Sequence, residues 1–328
     1  MERTDKYRKD QEQENILEKI NRILEPLEIK EIQRFDSPLK KTLFIIGPPR
    51  GATTLLHQLV AETGVFGYIS NYLARFWAAP YIGALQEKAL NIRTKKDMSY
   101  QSDYGRTSGW YEPHQFNYFW KKWYRYDEDH QMKSEIIDCI DQVVFRQEIA
   151  ALESVFEAPM VFKSLYCGLQ IPFLRRTLKK SKFVICTRDP LYQAQSILLG
   201  RKAFFGDYSG WFSLKPPEYY ELVKKSPYEQ VAGQVYYILK AIGNAIADLS
   251  ATEYVIIDHS DLIGNPHAQI RSVLQLAGLS ATEEIMNRIP ESFENRNRQT
   301  ITDTEWEKLK SAVESWFSGR DSIDILLE

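Results

Sequence analysis

The sequence predicts an α/β fold, a parallel sheet flanked by helices, on three observations. Four short runs, Thr42 to Ile46, Pro159 to Phe162, Lys182 to Thr187 and Tyr254 to Asp258, are almost continuously aliphatic or aromatic, as strands buried on both faces are. Helical patterns follow each of them, the alternation that builds parallel sheets. The first run passes directly into Gly47-Pro48-Pro49-Arg50-Gly51, which forbids helix, and then into an amphipathic helix opening at Thr53 and Thr54. Such a strand, loop and helix N-terminus make a P-loop-like cradle for an anion. Free N–H groups of the first helical turn and the positive end of the helix dipole both face the loop. The expected ligand is a phosphate or a sulfate.

Length and charge bound the rest. The 328 residues suit one large α/β domain over residues 41–328, with insertions at 80–158 and 201–228, preceded by a helical extension over 1–40. A net charge of −2 and a pI near 6.3 argue against a broad basic surface for nucleic acid, so anion binding is expected in a pocket. Cys139, Cys167 and Cys186 are far apart and lack C-x-x-C spacing, which points to neither disulfides nor zinc but to a reducing cytoplasm. The charged start, Met1 to Asn15, has no signal-peptide core, and no later run approaches transmembrane length.

In chain order, Ile16, Leu17, Ile20, Ile23 and Leu24 recur at helical spacing on a charged segment, predicting a helix that ends near Pro26 and packs on the domain. A partner-binding or membrane-surface helix is the other reading, although its polar face carries both signs. At the loop, the template G-x-x-x-x-G-K-[ST] lies on Gly47 to Thr54. Thr54 fills the Ser/Thr position, but Ala52 replaces the second glycine and Thr53 the lysine, which disfavours an ordinary ATP site. Pro49-Arg50-Gly51-Ala52-Thr53-Thr54-Leu55 instead resembles the P-R-S-G-T-[ST]-L element with which sulfotransferases bind 3'-phosphoadenosine 5'-phosphosulfate. The resemblance implies nucleotide contacts from Arg50, Gly51, Ala52, Thr53 and Thr54. Gly51 departs from the usual serine and loses a hydroxyl; Ala52 departs from the usual glycine, which demands a backbone angle alanine tolerates.

Phe66, Tyr68, Tyr72, Phe76, Trp77 and Tyr81 then crowd a short span, as core or as the wall of an acceptor pocket. From Tyr100 to Tyr126, Gly105 and Gly109 loosen the chain before a dense aromatic helix that carries Glu112 and His114 around Pro113. A carboxylate and an imidazole among aromatics can titrate near neutrality, as a general base for an alcohol or phenol requires; a helix N-terminus and a half-buried structural histidine would use the same residues. Glu-Pro-His followed by F-x-Y-F-W is similar to a segment of many bacterial sulfotransferases. Related families place a catalytic glutamate where Ser70 and Asn71 stand here, so Glu112 is the expected base and His114 the group that orients the acceptor or relays the proton.

Met132 to Phe156 reads as one long helix covering the sheet. Lys163 and Ser164 follow the second strand at its carboxyl end, where open parallel sheets bind ligands. Relatives carry K-[TSD]-P here; Leu165 replaces the proline, and Lys163 is carried over as catalytic. A helix from Gln170 leads into the third strand, closed by Arg188-Asp189-Pro190, with Ser196 in the next helix. A guanidinium and a hydroxyl so placed suit a phosphate. The pair resembles the second sulfotransferase motif, which grips the 3'-phosphate. Arg201 to Tyr228 reads as an aromatic loop, either a lid or one docked on the body. A helix over Val231 to Leu249, the fourth strand and a helix to Leu279 follow. Ser292 to Arg298 is polar and irregular where related enzymes close over the nucleotide, so Arg296 and Arg298 are candidate nucleotide contacts. Asp303 to Phe317 reads as a packing helix.

From Lys41 to Leu279 the resemblance implies in-line transfer of a sulfuryl group from 3'-phosphoadenosine 5'-phosphosulfate to a hydroxyl or amine of a small-molecule, carbohydrate or lipid acceptor, without a metal. Arg50, the loop N–H groups, Thr53 and Lys163 would stabilise the departing phosphate. Two other readings stay open: a P-loop kinase or other NTP-dependent phosphotransferase, and an inactive nucleotide-binding module.

Overall fold

In the computed structural model, which describes residues 2–93, 98–126, 130, 132 and 134–328, a five-stranded sheet runs in the order β2-β3-β1-β4-β5 with every neighbour parallel. Its strands are β1 (Thr42–Ile46), β2 (Gly67–Tyr68), β3 (Met160–Lys163), β4 (Ser181–Thr187) and β5 (Tyr254–Asp258). The four apolar runs are these strands other than β2. Two residues are too few to show a period, so β2 is defined only by its pairing with Met160 and Val161.

β1 is buried throughout and central: the chain lays β2 and β3 on one side of it and then crosses to lay β4 and β5 on the other. The crevice at its carboxyl end is thus a topological switch point, where open α/β sheets bind ligands. Side chains alternate between two cores. Phe44, Ile46, Phe162, Phe183 and Ile185 face one; Leu43, Ile45, Val161, Val184 and Cys186 face the other. The second face is covered by α2 (Thr53–Glu62) and, late in the chain, by the helix Pro266–Ala277.

The N-terminal helix α1 spans Gln11–Ile32, capped by the Asp10 carboxylate, and passes through Pro26 rather than ending there. Bonds on either side of the proline hold it: Asn21 Nδ2 donates to the Arg75 carbonyl (2.7 Å), and the N–H groups of Tyr81 and Ile82 donate to Glu28 (2.7 and 3.0 Å). The side that meets the body is therefore polar. Ile16, Ile20 and Ile23, expected to pack on the domain, are exposed instead. Tyr7 and Ile32 belong to the same core cluster as the strand residues.

After α3 (Pro80–Ala89), the aromatic helix α4 covers only Asn117–Tyr124. Glu112 and His114, expected within it, lie in the irregular segment before it, where Pro113 bridges Ser70. The expected long helix over 132–156 is two, α5 (Ser134–Cys139) and α6 (Gln142–Phe156). Asp141 separates them by accepting from the N–H groups of Val143 and Val144 (3.0 and 3.1 Å), taking over the donors a continuous helix would have used. Then come α7 (Ile171–Thr177) and α8 (Pro190–Phe205). The aromatic loop that follows is docked: Phe212 and Leu214 are buried, and Gln234 Nε2 donates to both their carbonyls (3.0 and 2.6 Å). It also contains a short α9 (Tyr219–Leu222). Next, α10 (Pro227–Ile246) packs against α8, against the helix Asp303–Phe317 and against the terminal helix Ser322–Leu327. Among the described residues no helix is long and apolar enough to cross a membrane.

Candidate active site

The loop after β1 needs its first glycine. Gly47 has φ of +144°, and a methyl group there would stand 2.5 Å from the Cys186 carbonyl oxygen on β4. Arg50 and Ala52 also have positive φ, +66° and +65°. That conformation costs an L-residue roughly 1–2 kcal/mol, so the position where alanine replaces the usual glycine is strained. Ala52 caps α2 without a side-chain oxygen, which leaves first-turn N–H groups for a ligand.

These turns open into a cavity of about 350 Å³ at the carboxyl end of the sheet. Arg50, Ala52, Thr53 and Thr54 line it from the loop and Lys163 from the end of β3. Opposite stand Arg188 and Ser196, with Arg296 and Arg298 on the polar loop near the C-terminus. Gly51 does not line it. Its Cα is pressed against Gln193, and an added methyl would meet Gln193 Nε2 at 3.1 Å and the Pro48 carbonyl at 3.2 Å. Gln193 spans the loop from α8, donating to the carbonyls of Pro48 and Pro49 (3.3 and 2.8 Å).

Cations gather here, most of them without a carboxylate partner among the described residues. Arg50 Nε donates to Ser196 Oγ (2.9 Å), and its guanidinium lies 5.1 Å from the Tyr104 ring centroid. Arg188 donates to Asn297 Oδ1 (3.0 and 2.5 Å) and to the Arg50 carbonyl (3.1 Å). Among the described residues none of Arg50, Lys163, Arg188 and Arg298 makes an ion pair with a carboxylate; Arg296 has only Glu294 at 3.7 Å. Burial, and then the Arg50 charge, push Lys163 down to about 7 and Arg188 down to about 10. Partly desolvated cations without carboxylate partners favour an anion beside them.

The Sulfotransferase family model matches residues 42–284, more than half of the chain, from the start of β1 to beyond the helix after β5. The chain belongs to the sulfotransferase family. Its fold is similar to that of sulfotransferase STF9 from Mycobacterium avium, at 14% identity and a TM-score of 0.56, covering 89% of this chain and 77% of that one. It is also similar to sulfotransferase STF1 from Mycobacterium tuberculosis H37Rv, at 13% identity and a TM-score of 0.54, covering 91% and 81%. No curated protein matches the chain in sequence. Members of the family generally take the sulfuryl group from 3'-phosphoadenosine 5'-phosphosulfate.

In this sulfotransferase the segment over residues 99–106 forms the cavity wall. Gly105, with φ of +84°, sits where a methyl group would stand 3.3 Å from Gln115 Nε2, 3.5 Å from Thr54 Oγ1 and 3.9 Å from Lys163 Nζ. Three polar atoms from three elements thus converge on one point. The segment is strapped from both sides. Tyr7 Oη donates to the Asp103 carboxylate (2.9 and 3.0 Å), and Gln58 Nε2 donates to the Gln101 carbonyl (3.3 Å).

Glu112 is not at the cavity. It is fully buried, accepting from Ser99 N on one oxygen (2.7 Å) and from Gln58 Nε2 on the other (2.9 Å). Each oxygen accepts one of the bonds that tie α2 to the wall segment, and Glu112, expected as the base, does not line the cavity. His114 does not line the cavity either. Its Nδ1 accepts from Phe116 N (2.9 Å), which leaves the ring proton on Nε2, and burial followed by the Lys163 charge pushes it down to about 4. A neutral ring so fixed donates from Nε2.

Sequence reasoning missed Tyr104, Gln115, Gln193 and Asn297, none of which stands in a motif. It also missed His57 on α2, fully buried with Nε2 unpartnered, which burial and then Lys163 hold well below the usual imidazole range. A histidine four residues after Thr53, on the buried face of the loop helix, was the available signal.

Proposed function

We propose that this sulfotransferase moves the sulfuryl group of 3'-phosphoadenosine 5'-phosphosulfate onto a hydroxyl or amine of a small-molecule, carbohydrate or lipid acceptor. The observation that carries the reading is the set of uncompensated cations, Arg50, Lys163 and Arg188, around first-turn N–H groups that no side chain caps. On this reading Arg188, Ser196 and Asn297 hold the 3'-phosphate, with Arg296 and Arg298 on the rim. The α2 N-terminus, Thr53 and Thr54 hold the 5'-phosphate. Arg50 and Lys163 meet the charge that grows on the oxygen linking phosphorus to sulfur as that bond breaks.

The acceptor enters from the side of Gly105, Gln115, Leu165 and Phe212, all of which line the cavity. Apolar walls with amide and hydroxyl groups suit a largely neutral molecule, oriented by hydrogen bonds from Gln115. The acceptor oxygen bonds to sulfur opposite the leaving phosphate, and its proton, made acidic as that bond forms, passes to solvent. Glu112 braces the wall instead of taking that proton. A kinase reading is disfavoured because Thr53 stands where the phosphate-binding lysine would be.

The test is thermal shift with 3'-phosphoadenosine 5'-phosphate, AMP and Mg-ATP, followed by transfer of labelled sulfate to an acceptor panel. The 3'-phosphorylated nucleotide should stabilise most, and Arg188→Ala should erase most of the margin over AMP, since charge-assisted bonds to such a group are worth roughly 1.5–3 kcal/mol each. An unchanged margin in the variant, or preferential stabilisation by Mg-ATP, overturns the assignment. Stabilisation without transfer to any acceptor would favour a nucleotide-binding module.

A further inference from the structure

The amphipathicity of α1 is inverted. Towards the body it turns Asn21 and Glu28, both buried and hydrogen-bonded; outwards it turns Ile16, Ile20, Ile23 and Leu27, which are 50, 39, 75 and 47% exposed. Spacings of four, three and four residues put these side chains on a single stripe along the outer face. Ile16 and Ile20 of the stripe also line an apolar groove together with Leu17, Tyr72, Phe76 and Trp110. Scattered exposed aliphatics are ordinary, but a continuous stripe facing away from the core marks an interaction surface.

The charges beside it identify the partner. At 100° per residue Glu12 and Lys30 fall on the same flank of the stripe, at its opposite ends, and both are exposed. Among the described residues neither makes an ion pair within the chain. Acid at one end and base at the other complement the same helix turned end for end. With a two-fold axis between Ile20 and Ile23, Ile16 of one copy meets Leu27 of the other and Ile20 meets Ile23. Glu12 then comes within one residue's rise of Lys30 at both ends. A parallel arrangement would oppose like charges. A membrane surface fits less well, because Glu12, Glu18 and Glu31 accompany Lys19 and Lys30 where a basic flank would be needed.

We infer that the outer face of α1 is a self-complementary interface through which two copies of this chain pair by antiparallel packing of Ile16, Ile20, Ile23 and Leu27, with Glu12 of each against Lys30 of the other. The interface lies outside the cavity, so the inference stands apart from the acceptor and donor assignments.

Sedimentation equilibrium and light scattering of the full chain between about 1 and 100 μM test it. The expected mass is twice the 38.3 kDa of the chain. Ile20→Glu with Ile23→Glu should give a monomer with unchanged circular dichroism, because neither side chain belongs to the core. Glu12→Lys should weaken pairing about tenfold or more, and adding Lys30→Glu should restore it, which only the antiparallel arrangement requires. A wild-type monomer at 100 μM overturns the inference, as does a dimer that survives the double glutamate substitution. Failure of the charge swap to restore pairing overturns the antiparallel register. Binding of the monomer to phosphatidylcholine or phosphatidylserine vesicles, lost with Ile23→Glu, would assign the face to a membrane and overturn it too.

Discussion

Replacing Lys163 by methionine should abolish a proton uptake that otherwise accompanies nucleotide binding. The ammonium is buried at the end of β3 and sits within the field of Arg50, and the two effects together hold it at about 7 in the free protein. A bound 5'-phosphate reverses the local field, so Lys163 returns towards the ordinary lysine range and becomes fully charged. The free protein at pH 8 has about a tenth of Lys163 protonated, so binding should draw in about 0.9 proton per nucleotide. The share due to Lys163 should fall to about 0.5 at pH 7. Affinity should accordingly weaken nearly tenfold per pH unit between about 7.5 and 9. Other displaced groups near the cavity do not interfere: His114 and His259 are held down at about 4, and His57 well below its usual value, so all are neutral already. The phosphates of the nucleotide lose their last protons near pH 6, below the window. Titration calorimetry of 3'-phosphoadenosine 5'-phosphate in two buffers of different ionisation enthalpy at pH 8 measures the uptake. Less than about 0.2 proton, or equal uptake in Lys163→Met, would refute the reasoning. The same displacement works on the ligand-free protein. Between about 7 and the ordinary lysine value only the unfolded chain binds this proton, so stability should rise with pH across that window and do so less in Lys163→Met.

Glu112→Gln leaves an acceptor for Ser99 N but faces the Gln58 amide with a second N–H, so it should cost about 1–3 kcal/mol of stability, read by denaturant melts, while turnover per folded molecule changes little. A loss of about 100-fold in turnover at unchanged stability would instead return Glu112 to the role of base. Arg50→Ala should lower kcat by about 100-fold with a much smaller change in nucleotide Kd, because the guanidinium is proposed to meet charge that develops in the transition state; a raised KM at constant kcat would contradict this. Ala52→Gly should raise Tm by about 1–2 °C, since relief of the left-handed backbone outweighs the added chain entropy. A fall in Tm would mean that the methyl contact with the apolar face beside Leu55 is worth more than the strain.

What the sequence determined by itself was whatever depends on neighbours along the chain. The runs at Thr42, Pro159, Lys182 and Tyr254 had to be strands because continuous apolar residues suit a sheet covered on both faces. The loop from Gly47 to Thr54 had to be a tight turn into a helix start, because its glycines and prolines forbid helix and its cap residue offers no side-chain oxygen. Arg50, Lys163 and Arg188 were legible as candidates because each stands at or shortly after the carboxyl end of a strand, and the fold brings those ends to one crevice. Tertiary structure decided everything that turns on partners far along the chain. Glu112 looks like a base among aromatics, but Gln58 and Ser99 claim both its oxygens across the fold. The apolar face of α1 looks like a core face, but buried bonds from Asn21 and Glu28 fix its rotation the other way. Tyr104, Gln115 and Asn297 carry no local pattern at all, and gain their place only because the wall segment and the C-terminal loop fold back over the switch point between β3 and β4. A periodic pattern states that a face will be buried or paired; the competing demand of buried polar groups for partners settles which face, and against what.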